Sequence, residues 1–133
     1  MSKSYQKHQE RLAEVQSFGR ALARRSRSRC ELCEATGERL DPVEIPPTPE
    51  EPDIDRCLFL CARCTKGIEK GPTGDPNGWR FLETAIWSEL QPAQVAAVRL
   101  MGQLAEDGQV AWAREALESL YLDPETQSWV DAT

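Results

Sequence analysis

The chain has 133 residues, 29% of them charged, and a formal net charge of −6, which is the length of one domain with one modest core. No apolar run approaches the roughly 20 residues of a membrane helix, and "MSKSYQKHQERLAEV" has no apolar signal-peptide core, so a cytoplasmic protein is expected. The charge is split: residues 1–29 carry eight Lys/Arg and two acids, a net of +6, and the remainder carries eight Lys/Arg and twenty acids, a net of −12. An acidic body argues against a broad nucleic-acid face there, while a basic arm leaves a narrow one open.

Three parts follow in chain order: a basic N-terminal helix or arm (1–27), a four-cysteine module (28–72) and a helical segment (73–133). The first reads as a single helix from about Ser4 to Arg25, with Leu12, Val15, Phe18 or Gly19, and Leu22 at helical spacing. Its end is crowded with Arg20, Arg24, Arg25, Arg27 and Arg29. These arginines are the candidate partner-binding residues, for RNA or another polyanion. The competing expectation is that the cations suit a helix C-terminus and that the arm folds back on the acidic body. Leu12, Val15 and Leu22 would then complete the core. The lone histidine, His8, reads as an ordinary helix residue.

In the second part, Cys30–Cys33 and Cys61–Cys64 repeat one Cys-x-x-Cys spacing. Each spacing brings two thiolates to one ion, and two of them close a tetrahedral site. Disulfides are not expected in a reducing compartment. The ligands predicted are Cys30, Cys33, Cys61 and Cys64 around one structural Zn²⁺. With four sulfurs no position is left for water, so the metal folds the module rather than activating a nucleophile. Four thiolates and Zn²⁺ sum to −2, which Arg29, Arg56, Arg63 and Lys66 are placed to offset. Between the pairs, Leu40 and Val43–Ile45 suggest short strands, "PPTPEEPD" is a stiff acidic loop, and "DRCLFLC" returns as a strand. "TKGIEKG" suggests helical turns ended by Gly71-Pro72. The fifth cysteine, Cys57, is either a buried thiol or a substitute ligand or reactive thiol.

In the third part, "GWRFLETAIWSEL" puts Trp79, Leu82, Ile86 and Leu90 on one face, and Pro92 suits the first turn of the next helix. Ala97, Leu100, Met101 and Leu104, then Val110, Ala113, Leu117 and Leu120, repeat at helical spacing. Asp123-Pro124 reads as a cap with a first-turn proline. The predicted fold class is mainly α, with a small β-hairpin zinc module of zinc-ribbon or treble-clef type followed by a short helical bundle.

The paired cysteines around a hairpin resemble the frame of HNH endonucleases, whose histidine base activates water near a second metal. Here that stretch is "DPVEIPP", with Glu44 and no histidine, and Thr65 follows Cys64. "RSRSRCELCEA", "VEIPPTP", "DRCLFLCARC", "GWRFLETAIWSEL" with "QPAQVAAVRLM", and "YLDPETQSWV" together resemble the PhnA-like zinc-ribbon proteins, bacterial proteins named after an alkylphosphonate utilisation operon. The resemblance runs from about Arg25 onward and implies that the same four cysteines bind zinc. Gly78 stands where members of that family tend to have a histidine. A family name does not fix a task. The expectation is a non-catalytic zinc-stabilised adaptor that binds protein, or RNA through its basic arm. The alternative is a metal-dependent hydrolase acting on phosphonate or phosphodiester substrates.

Overall fold

The computed structural model describes residues 2–132. Helix α1 spans Lys3–Ser17 and α2 spans Gly19–Ser26, where a single helix was expected. The break falls at Phe18, whose N–H turns back to the Val15 carbonyl at 3.1 Å, next to a glycine that stiffens a helix poorly. The bend lets α1 lie on one strand of the hairpin and α2 reach the other. Val15 and Leu22 are buried, but Leu12 is 44% exposed and does not join the core.

The hairpin pairs β1 (Leu40–Glu44) with β2 (Cys57–Cys61) antiparallel, with Leu40 opposite Cys61 and Glu44 opposite Cys57. Side chains alternate across a strand. Leu58 and Leu60 enter the main core, while Cys57 is buried outside it. Residue 61 both ends β2 and caps α3 (Ala62–Lys70), which stops at Gly71 with φ 92°.

The segment after α3 is more broken than expected. A 3₁₀ turn covers Pro76–Trp79 and α4 only Leu82–Ala85. The periodic residues still reach the core, since Trp79, Leu82 and Ile86 are all at most 2% exposed. Helix α5 (Gln91–Ala105) begins with Pro92 and packs on α4, on α6 (Ala111–Glu118), on α7 (Pro124–Asp131) and on α3 and β2. Asp123 caps α7 by accepting the Thr126 N–H at 2.8 Å. The protein is mainly helical, with one small two-stranded hairpin and a four-cysteine cluster.

One continuous core joins Cys30, Leu32, Ile45, Leu58 and Leu60 to the buried faces of α4 to α7. The Pro46 carbonyl ties the hairpin loop to the last helix by accepting the Trp129 indole N–H at 3.0 Å and the Arg99 guanidinium at 2.5 Å. Arg99 also donates to the Trp129 and Ala132 carbonyls at 2.6 and 2.8 Å, satisfying the free end of α7. No described helix is long and apolar enough to cross a membrane.

Candidate metal centre

The first cysteine pair sits on a tight turn and the second at the start of a helix. In the turn, the Glu34 N–H donates to the Cys30 carbonyl at 2.9 Å and the Cys30 N–H to the Ala35 carbonyl at 3.0 Å, with Glu34 left-handed at φ 64°. Cys61 closes β2, and Cys64 lies in the first turn of α3. The order turn, hairpin, helix is that of a treble clef; in a ribbon both pairs would sit on turns. A helix N-terminus also favours the charge of thiolates placed there.

The four sulfurs lie within 4.8 Å of one another, and Cys33 Sγ is 3.8 Å from Cys61 Sγ. A tetrahedral ion with metal–sulfur bonds of about 2.3 Å needs sulfurs about 3.8 Å apart. The cluster therefore has the size of a single four-coordinate metal site. Cys30, Cys61 and Cys64 are buried and Cys33 is partly open. Without a cation these thiols cannot all ionise. The thiols of Cys33 and Cys64, aided by the Cys33 and Cys61 backbone N–H groups, hold Cys30 far below the usual thiol range. Cys30 pushes Cys33 up to about 11. Cys30, Cys33 and burial drive Cys64 far up. An ion entering the cluster displaces the remaining protons.

Cys57 is outside the cluster. It is fully buried, its thiol points at the Asp53 carbonyl at 3.4 Å, and burial followed by the charges of Glu44 and Asp53 raises it to about 11. Such a thiol is inert at neutral pH.

Glu31, inside the first Cys-x-x-Cys, is the residue that sequence reasoning missed. Its N–H donates to the Phe59 carbonyl at 2.9 Å, and its carboxylate accepts the Phe59 N–H at 2.8 Å. The turn thus satisfies both backbone groups of Phe59 on the free edge of β2. The same carboxylate, 5% exposed, accepts the Arg25 guanidinium at 2.7 and 2.8 Å, and Arg25 also reaches the Cys57 carbonyl.

Arg25, expected among the partner-binding arginines, is engaged by its own fold through Glu31 and the Cys57 carbonyl. Arg20, Arg24, Arg27 and Arg29 are exposed and make no ion pair among the described residues. Of the cations expected to offset the cluster charge, two have their guanidinium planes on aromatic rings: Arg56 lies 4.2 Å from the Trp129 centroid and Arg63 4.3 Å from that of Trp79. Arg63 also donates to the Gly78 carbonyl, and a Cβ at Gly78 would stand 3.1 Å from the Arg63 Nη2. A side chain at position 78 would crowd that contact.

Glu44, the residue weighed against a catalytic base, is already paired. Arg11 from α1 grips it with Nη2 at 2.7 Å and Nε at 2.9 Å, and then holds the loop through the Pro49 and Glu50 carbonyls. The Glu44 side chain is 16% exposed. Thr65 bonds back to the Cys61 carbonyl at 2.9 Å, inside its own helix. His8 is exposed on α1. No family model, curated protein or solved structure matches the chain.

Proposed function

We propose that this is a non-catalytic, zinc-stabilised binding protein of the PhnA-like kind, and that it takes an anionic partner on the arginines at the end of α2. The observation that carries the reading is the closed set of four sulfurs around one point. Four thiolates in tetrahedral array favour Zn²⁺ and leave it no site for water or substrate. Five free cysteines suit a reducing compartment such as the cytoplasm. A hydrolase would need an open metal position and a free base, and Glu44 is held in two hydrogen bonds by Arg11.

The arginines left over supply the surface. Arg20 and Arg24 stand four residues apart on the side of α2 away from buried Leu22, and Arg27 and Arg29 follow the helix end. Cations that meet no acid among the described residues favour an anionic partner, a nucleic acid or an acidic protein.

The test is binding to polyanions over a series of salt concentrations. If these four arginines meet the phosphates of a single strand, changing all four to Gln flattens the log–log salt slope by roughly 3. Binding unchanged by the substitutions would contradict the reading.

A further inference from the structure

We infer that the partner of this surface is a single-stranded nucleic acid, running across the Cys30–Glu34 turn with phosphates at Arg27 and Arg29 and a base stacked on Trp87. The inference rests on the arginine surface proposed above and adds a second contact of different chemistry.

Two cavities flank the turn. One, of about 210 Å³, is lined by Arg25, Arg27, Arg29 and Leu90 along with the turn itself. The other, of about 360 Å³, has Leu32, Phe81, Ala85 and Trp87 on its apolar walls. Glu31 and Glu34 border both. The chain from Trp87 to Leu90 passes from one cavity to the other, so the basic and aromatic walls are neighbours. Two successive left-handed residues, Arg27 at φ 56° and Ser28 at φ 58°, end α2 and turn the chain into the metal site. This brings Arg27 and Arg29 to the same cavity.

Trp87 is 53% exposed, whereas Trp79 is 2% and Trp129 7% exposed. Trp79 and Trp129 are each covered by an arginine plane and each donate their indole N–H to a carbonyl. Trp87 has neither contact among the described residues. A bare indole beside exposed arginines is the pairing that binds single strands, because every base has a face to stack and every nucleotide a phosphate. A duplex hides its base faces, so it gains only the arginine contacts. The acids of the turn do not close the path. Glu31 is paired with Arg25, which leaves Glu34 as the carboxylate bordering both cavities that has no ion pair among the described residues. Glu34 opposes phosphate, so its neutralisation strengthens binding.

The experiment measures anisotropy of a labelled 12-residue oligouridine, a duplex of equal length and heparin, a base-free polyanion. The proteins are wild type, Trp87→Ala, Trp87→Phe, Glu34→Gln and the double variant Arg27→Gln/Arg29→Gln, each checked for metal content and melting temperature. The single strand should bind more tightly than the duplex. Trp87→Ala should weaken it about tenfold with the salt slope unchanged, and Trp87→Phe should restore most of the loss. The double arginine variant should lower the slope by about 1.4, and Glu34→Gln should tighten binding. If Trp87→Ala binds like wild type while the arginine variant weakens, the stacking inference is overturned and the arginine surface stands. Heparin binding weakened by Trp87→Ala as much as oligonucleotide binding would likewise overturn stacking and leave the arginine surface standing, because heparin has no base to stack. Absence of binding to any polyanion at low salt removes both readings.

Discussion

The Arg25 guanidinium and the Glu31 carboxylate meet in two hydrogen bonds of 2.7 and 2.8 Å, and the Glu31 side chain is 5% exposed. That pair links three elements: α2, the turn that carries Cys30 and Cys33, and β2 through the Phe59 N–H. Glu31→Ala would leave the part-buried Phe59 N–H without its partner and Arg25 with only the Cys57 carbonyl. The expected cost is roughly 1–3 kcal/mol, read as a fall in the denaturation midpoint. Glu31→Gln, which can still accept the Phe59 N–H, should cost less. Equal stability of wild type and Glu31→Ala would show that the turn holds its place without this pair.

Gly67 on α3 faces the Trp79 ring so closely that a Cβ would lie 2.6 Å from a ring carbon. The ring cannot easily retreat, because its indole N–H is bonded to the Thr73 carbonyl at 2.9 Å and Arg63 lies over it. Gly67→Ala should therefore destabilise by about 1–3 kcal/mol, although alanine is normally the better helix former. A stabilised Gly67→Ala variant would contradict the packing described.

Cys57 gives a prediction at alkaline pH. Burial raises its thiol from 9.0 to about 11, so the fold favours the protonated form. That contribution is fully present below the unfolded value and is lost as pH rises through about 11. Cys57→Ala should thus lose less stability than wild type between pH 8 and pH 11. Native Cys57 should also resist alkylation at pH 8; rapid labelling of the folded protein there would overturn its assignment as an inert thiol.

Removal of residues 1–24 should lower the melting temperature sharply. The segment buries Val15 and Leu22 and supplies the Arg11 grip on Glu44. Each buried aliphatic side chain contributes about 2 kcal/mol. A truncated protein as stable as the full chain would mean that the N-terminal helices do not dock.

Local chemistry was legible in the sequence. The paired cysteines, the Gly71 stop and the Asp123 cap depend on residues within a few positions of each other, and the structure places each as its pattern predicts. The fate of the arginines was half legible. Arg25 follows buried Leu22 by three positions and Arg11 precedes buried Val15 by four, so each lies on the face that docks. Counting charge along the segment merged these two with the arginines that stay free. Glu31 and Gly67 were hidden for a different reason. Their partners, Phe59 and Trp79, are 28 and 12 residues away, and no periodicity reports a contact made only after the chain has folded. The short α4 escaped for the reverse reason, since helical spacing of Trp79, Leu82 and Ile86 marks a buried stripe and does not require an unbroken helix.

Metal content is the most direct test of the central claim. Native mass spectrometry of the purified protein should find about one Zn²⁺ per chain, as four thiolates around one ion require. Cys30→Ser and Cys64→Ser should lose the metal and unfold the turn–hairpin–helix unit with it. Cys57→Ser should keep both. Acid should release the ion, because protons compete for its ligands. A protein that folds without metal, or one that loses zinc in Cys57→Ser and keeps it in Cys30→Ser, would contradict the account.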